Sequence, residues 1–162
     1  MGGGGRLVTV ESAEEVIARL GMQPIPEEGA WFVAGPRTQH LNAITVLLTD
    51  APDGFSAMHR LAIDEGWQWL DGSPAALLRL RPGGSGVLNY VGPQARQFLV
   101  RRGTWMGAST LGNWSLLACW CSPAFRPEHF ELGRRDELVR SYPSYASEIA
   151  LLTRDEPVGR MR

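Results

Sequence analysis

The feature that most constrains the fold is a series of short apolar runs between residues 42 and 122, separated by turn-forming stretches. The separating stretches are DAPDG, DGSP, RPGGSG and TLGN. The seven runs are AITVLLT, FSAMHRLA, GWQWLDG, AALLRLRP, GVLNYVG, RQFLVRRGTWMGAS and NWSLLACWCS. This density of short strands and turns is typical of a β-sandwich or β-barrel, so the sequence predicts an all-β fold.

Helical patterns flank the strand region on both sides. ESAEEVIARLGM predicts an N-terminal helix, capped by Ser12 with Glu15 and stopped by Gly21. The following QPIPEEGAWFVAGP is rich in Pro and Gly and predicts a loop with an edge strand. The tail RPEHFELGRRDELVRSYPSYASEIALLTR returns to helical spacing and predicts two short helices on either side of Pro143, with Leu151 on their apolar stripe.

Length and composition favour one domain. The chain has 162 residues, of which 44% are hydrophobic, enough for a single core. We expect a disordered glycine-rich N-terminus at 1–6, one domain at 7–155 and a flexible tail at 156–162.

The charge pattern excludes several classes of partner. The net charge is −1 and no basic run exceeds two arginines, so we expect binding to neither nucleic acid nor a membrane surface. No stretch reaches the length of a membrane span and no signal peptide precedes the strands, so we expect a cytoplasmic protein. All 16 basic residues are Arg, which excludes Schiff-base chemistry through lysine.

Two cysteines, Cys119 and Cys121, are separated by one residue in SLLACWCSP. We expect them to point to opposite faces of a strand, to remain reduced and to pack as small apolar groups. A zinc site needs four converging ligands, and this pair has no further cysteine beside it. A reactive or ligating role is the alternative.

Strand alternation groups one histidine with apolar residues. In FSAMHRLA, the side chains of Phe55, Ala57, His59 and Leu61 fall on one face. If that face is the interior, His59 is either a pocket residue or a core histidine bonded to a backbone carbonyl or to Glu65.

The next run places Glu65, Trp67 and Trp69 on one face by the same alternation. One imidazole, one carboxylate and two indoles are therefore predicted to face a common space.

The ordered segments resemble the cupin superfamily, and more narrowly its cupin_5 family, also called DUF985. The matching segments are LGMQPIPEEGAWF, AITVLLT, FSAMHRLAIDEGWQWLDGSP, GTWMGAS, LLACWCSPAF and HFELGRRDELVRSYP. The resemblance implies a double-stranded β-helix (jelly roll), a homodimer and a small-molecule pocket inside the barrel. It implies no particular reaction.

The chain departs from the metal-binding cupins that it resembles. Ala57 stands where the first motif has a His, and RRGTWMGAS contains none. Only His59 and Glu65 remain as candidate ligands, which is too few, so we expect no metal and no other cofactor. We expect His40, beside a turn, to be a surface residue.

Other departures bear on the ligand. Phe32, Val33 and Ala34 replace an expected polar run, Gln68 stands where relatives carry His, and Arg101 replaces a Pro. The pocket is therefore expected to be apolar and its ligand to be a fairly apolar or cyclic metabolite.

Three functions are compatible with these residues. The first is metal-independent proton transfer (isomerase, epimerase, cyclase or dehydratase type), with His59 as base or acid and Glu65 or Asp64 orienting it. The second is a non-catalytic binding protein, and the third, placed last for want of ligands, is a metal-dependent oxygenase or isomerase. The candidate substrate-binding residues are Trp67, Trp69, Trp105, Phe32, Gln68 and Ala57.

Overall fold

A computed structural model describes residues 9–155, so the predicted disorder at 1–6 and the predicted flexible tail at 156–162 lie outside the described residues. The predicted all-β architecture is confirmed, with two antiparallel sheets and three short helices. The strands are β1 (Gln23–Pro24), β2 (Trp31–Arg37), β3 (Asn42–Thr49), β4 (Ser56–Leu61), β5 (Asp64–Gly72), β6 (Ala75–Leu80), β7 (Gly86–Val91), β8 (Gln97–Val100), β9 (Trp105–Thr110), β10 (Trp114–Ser122) and β11 (Phe130–Leu132). The helices are α1 (Ala13–Leu20), α2 (Arg135–Ser141) and α3 (Ala146–Leu151).

The two sheets face each other across the main core. The first sheet has the order β1-β2-β3-β10-β5-β8, and the second has the order β11-β4-β9-β6-β7. In the first sheet the long strand β10 pairs with β3 on one side and with β5 on the other. These pairings bring residues of three distant segments into the same rows of the inner face.

The N-terminal helix forms as the sequence predicts. Ser12 and Glu15 make a reciprocal capping box, and Gly21 ends α1 in the left-handed region at φ 64°. Val16 is fully buried where α1 packs on the outer face of the first sheet, against Leu47 and Trp114.

The run RQFLVRRGTWMGAS was predicted as a single strand segment. In the structure it forms two strands, which lie in different sheets. β8 ends at Val100 and β9 begins at Trp105. Between them the amide of Thr104 donates to the carbonyl of Arg101, and Gly103 takes a φ of 79° that favours glycine. The Arg-Arg-Gly turn therefore moves the chain from one sheet to the other.

The tail contains the two predicted helices but also a strand that the helical interpretation missed. Residues Phe130–Leu132 form β11, which pairs with β4 at the edge of the second sheet. Leu151, expected on the apolar stripe of the second helix, is 76% exposed. Only Ile149 of α3 is buried, because α3 is six residues long and contacts the barrel on one side.

Strand β4 departs from simple alternation at its start. Ser56 pairs with Ala108 and His59 pairs with Met106, so β4 carries one extra residue between these pairs. This bulge reverses the alternation for the residues before it. Phe55 therefore packs with the C-terminal helices rather than sharing the inner face with His59, which corrects the predicted grouping.

No helix within residues 9–155 is both long enough and apolar enough to cross a bilayer. The homodimer, the single domain at 7–155 and the cytoplasmic location stay predictions.

Candidate functional site

A cavity of about 530 Å³ opens between the two sheets. Its walls are mainly apolar and aromatic, with a few titratable side chains among them. The lining residues are Ile25, Pro26, Glu27, Glu28, Phe32, Asn42, Ile44, His59, Leu61, Glu65, Cys119, Cys121, Phe125, Pro127 and Phe130. This combination of a concave apolar space and converging polar groups is typical of small-molecule sites.

His59 reaches the cavity from β4, in the second sheet, and is only 3% exposed. Its Nδ1 lies 2.7 Å from the carbonyl oxygen of Ala57, and its ring stacks on Phe130 with centroids 5.4 Å apart. Because a carbonyl oxygen only accepts, Nδ1 carries a proton, and in the neutral ring Nε2 is the nitrogen without one. The Ala57 contact also satisfies the hydrogen bonding that the core-histidine alternative requires.

Glu65 reaches the same cavity from β5, in the facing sheet, and is 6% exposed. The indole Nε1 of Trp67 donates to its Oε2 at 3.3 Å, and the Cys121 thiol lies 3.8 Å from its Oε1. Burial raises the pKa of Glu65 to about 7, while the charge of His59 opposes this shift and that of Glu28 adds to it. Such a carboxyl can be either a proton donor or a proton acceptor near neutral pH.

The two cysteines lie on the same face of β10, and the expectation that they point apart was wrong. Residues two apart on a strand share a face, and here both side chains line the cavity. Cys121 pairs with Glu65 across the strands, and Cys119 pairs with Trp67. Both are buried and neither forms a disulfide, as the sequence predicts.

The cysteine thiols should alkylate slowly in the native protein. Burial is the main cause that raises the pKa of Cys119 and of Cys121, and the Glu65 carboxyl adds to it, so little reactive thiolate is present. We expect iodoacetamide at about pH 8 to label both at least about tenfold more slowly than in the urea-unfolded chain. Mass spectrometry of timed samples measures both rates, and equal rates would show that the cavity thiols are accessible and ionised.

Glu28 is a cavity residue that sequence reasoning missed. It lies in the turn before β2, and its side chain is 15% exposed. Its Oε1 accepts a hydrogen bond from the buried Ser56 hydroxyl and lies 3.8 Å from Nδ1 of His59. A signal for it was present, because Glu28 belongs to the PEEGAWF segment of the family resemblance.

The turn that carries Glu28 is held in place from two sides. The carbonyl oxygen of Glu28 accepts from the Ala57 amide at 2.9 Å and from Arg154 Nη1 at 2.8 Å. Gly29 follows with φ 83°, and a Cβ there would collide with Arg154 Nη2. Only glycine leaves room for the arginine that fixes this turn.

The sequence-predicted tryptophans fall in three different places. Trp67 is 2% exposed and lies in the core behind Glu65. Trp69 packs at the edge of that core, where its Nε1 donates to the Ser73 carbonyl. Trp105 lies on the other side of the second sheet, under the guanidinium of Arg60.

The structure brings together some predicted site residues and not others. His59, Glu65 and Phe32 all line the cavity. Ala57 is buried beside it and contributes its carbonyl to His59. Gln68 neighbours the inward-facing Trp67 and therefore points to the outer face of β5, away from the cavity.

Three further polar residues, Asp64, His40 and His129, lie elsewhere. Asp64 accepts from the Arg102 amide at the strand edge. His40 is exposed in the turn after β2, as expected. His129 lies outside this cavity, and its Nδ1 accepts from the Arg126 amide.

The side chains at the site do not fit the metal that many cupins hold. Within residues 9–155, no three His, Cys, Asp or Glu side chains are grouped so that they could bind a metal ion. His59 Nδ1 faces a carbonyl, and Glu65 faces an indole and a thiol. In this arrangement the described side chains form no metal site, and the absence of a metal from the protein stays a prediction.

Comparison with known proteins gives the class and then the family. Residues 14–133 match the family model described as Cupin superfamily (DUF985), and the chain belongs to this family. The predicted cupin jelly roll is thereby confirmed. The comparison with curated proteins found no match.

Two solved structures resemble this chain along nearly its whole length. A protein of Shewanella oneidensis is 26% identical, with a TM-score of 0.83, and the match covers 91% of this chain and 100% of that one. A protein of Leishmania major, described as hypothetical, is 25% identical with a TM-score of 0.79, covering 89% and 99%.

A more distant structure shares the fold alone. Oxalate decarboxylase from Bacillus subtilis is 10% identical with a TM-score of 0.56, and the match covers 83% of this chain and 38% of that one. At this identity its reaction says nothing about the residues in the present cavity.

Proposed function

We propose that this protein is a metal-independent enzyme that moves a proton on a small metabolite bound in the cavity. The observation that carries the proposal is the position of His59 and Glu65 on facing sheets, with both side chains lining one cavity. A substrate between them meets Nε2 of His59 on one side and the Glu65 carboxyl on the other. Paired acceptor and donor groups of this kind serve isomerisation, epimerisation, cyclisation and dehydration.

The proton balance is simple. Nε2 of the neutral His59 takes a proton from the substrate, while protonated Glu65 gives one to another substrate atom. The Nδ1 proton stays on the Ala57 carbonyl throughout and holds the ring in one orientation. Return of a proton from His59 to Glu65 through the product or solvent restores the starting state.

The cavity walls define the kind of substrate. Phe32, Phe125 and Phe130 supply aromatic surface, which suits an apolar or cyclic body. Among the described residues no arginine lines the cavity, whereas Glu27, Glu28 and Glu65 do. Carboxylate and phosphate groups are therefore disfavoured inside it, and we propose a neutral or cationic substrate.

A binding protein is the second candidate, favoured by the Ala57 carbonyl contact that satisfies His59 without any reaction. In that case the same walls hold a metabolite and no bond changes. The two candidates differ in whether a substrate hydrogen exchanges with solvent.

Hydrogen exchange with solvent can test the proposal before the substrate is identified. The protein is incubated in D2O with pools of small neutral and cationic metabolites, and mass spectrometry records which of them gain deuterium. We expect at least one to gain deuterium faster with the protein than without it, because a proton-transfer enzyme exchanges substrate hydrogen with solvent.

The matched control is the Glu65→Gln protein, which keeps the shape of the side chain but has no carboxyl group to give or take a proton. Deuterium gain that is seen with the unsubstituted protein and lost with Glu65→Gln supports the enzyme. Retention of a metabolite by the protein, with no deuterium gained from broad pools, supports the binding protein instead.

A further inference from the structure

Glu28 is placed where a charge on it acts directly on His59. Its Oε1 is 3.8 Å from Nδ1 of His59, and both side chains are largely withdrawn from solvent. At this separation a carboxylate attracts a positive charge on the imidazole, and little water screens the pair. The same oxygen is fixed by the hydroxyl of Ser56, which is fully buried.

The position of Glu28 does not depend on its own flexible side chain alone. The Ala57 amide and Arg154 bind its carbonyl oxygen, and Ala57 also accepts the Nδ1 proton of His59. Ser56 and Ala57 of β4 therefore fix the position of the imidazole relative to the carboxylate.

We infer that Glu28 is a positioning residue of the proposed proton-transfer site, whose carboxylate stabilises the imidazolium formed when Nε2 of His59 accepts a proton. No bond of the substrate is made or broken by Glu28. The Nδ1 proton remains between the imidazole and the Ala57 carbonyl, and the carboxylate balances the new positive charge. The inference rests on the proposed function for its role in turnover, but the charge coupling itself is measurable without a substrate.

The test compares Glu28→Gln with the unsubstituted protein by ¹⁵N NMR of the His59 ring. Gln keeps an Oε1 acceptor for Ser56 and removes only the charge. At a fixed pH near neutrality we expect the ratio of protonated to neutral His59 to fall by about tenfold. Glu65, Cys119 and Cys121 also face this space, so they are left unchanged and the difference reports Glu28 alone.

Two further variants separate charge from structure. Glu14→Gln removes the same charge from an exposed position on α1 that does not line the cavity, and it should change the ratio by less than about twofold. Glu28→Asp keeps the charge on a shorter arm and should restore part of the ratio. Equal ratios in Glu28→Gln and in the unsubstituted protein would overturn the inference.

A second measurement needs no variant and covers the case in which Glu28→Gln does not fold. In the unsubstituted protein the neutral His59 ring should carry its proton on Nδ1, which ¹⁵N shifts and ring couplings reveal. A proton on Nε2 instead would overturn the inference, because the ring would then present no acceptor to the cavity. If the coupling is present but no metabolite exchanges hydrogen, the proposed function fails while the coupling of Glu28 to His59 stands.

Discussion

His59→Gln is expected to lower proton-transfer turnover by roughly 10²–10⁴-fold, the usual contribution of general acid–base catalysis. Glutamine has nearly the reach of histidine and places its side-chain amide near the position of Nε2, but it cannot take up a proton at neutral pH. Affinity for the metabolite should change little, because the aromatic walls remain in place. The rate of deuterium incorporation, measured at saturating and at low metabolite concentration, separates the two effects.

His40→Gln is the matched control for this experiment. His40 is exposed in the turn after β2 and does not line the cavity, so its replacement should leave turnover within about twofold. Unchanged turnover in His59→Gln would mean that His59 is a core histidine and not the base. Glu65 would then lack the proton-transfer partner that the proposal gives it.

The strand region could be predicted because its side chains alternate over many residues. The period of two correctly grouped Glu65, Trp67 and Trp69 on the inner face of β5. The same period places Cys119 and Cys121 on one face as well. The prediction that they point to opposite faces applied this period wrongly. The extra residue of β4 was not predictable from its own run, because the bulge exists only relative to the partner strand β9.

The candidate site was only half predictable for a related reason. His59 and Glu65 lie on β4 and β5, which follow one another in the chain and both have strong alternating patterns. Glu28 enters the cavity because its turn is bound by β4 and by Arg154, which is 126 residues away in the chain. Phe130 joins the site because β11 pairs with β4. Contacts between such distant segments leave no periodic signal in the sequence.

Glu65→Gln is expected to abolish a pH dependence of stability that the unsubstituted protein shows between about pH 4.5 and pH 7. The folded protein holds the pKa of Glu65 at about 7, against an ordinary value of 4.5. Between these values the folded state binds more protons than the unfolded state, so the free energy of unfolding falls as pH rises. Above about pH 7 both states are ionised at this position and the loss is complete.

The size of the effect follows from the separation of the two pKa values, which corresponds to about 3 kcal/mol. The quantity to measure is the stability difference between Glu65→Gln and the unsubstituted protein by urea unfolding, at about pH 4 and again at about pH 8. The difference should move by about 3 kcal/mol in favour of the variant at the higher pH. Direct packing effects of the glutamine cancel in this comparison, as do the titrations of His59, Glu28 and the two cavity cysteines to the extent that they do not depend on Glu65.

Glu14→Gln on the exposed side of α1 is the control, and its stability difference should stay constant across the same pH range. A constant difference for Glu65→Gln as well would mean that water reaches Glu65 and that its carboxyl titrates as a surface acid does. If the expected result is found, the natural protein keeps at position 65 an acid that makes it less stable at neutral pH than the neutral amide would. Such a cost is expected where a buried acid serves function rather than stability, and the variant that gains stability should be the one that no longer exchanges substrate hydrogen.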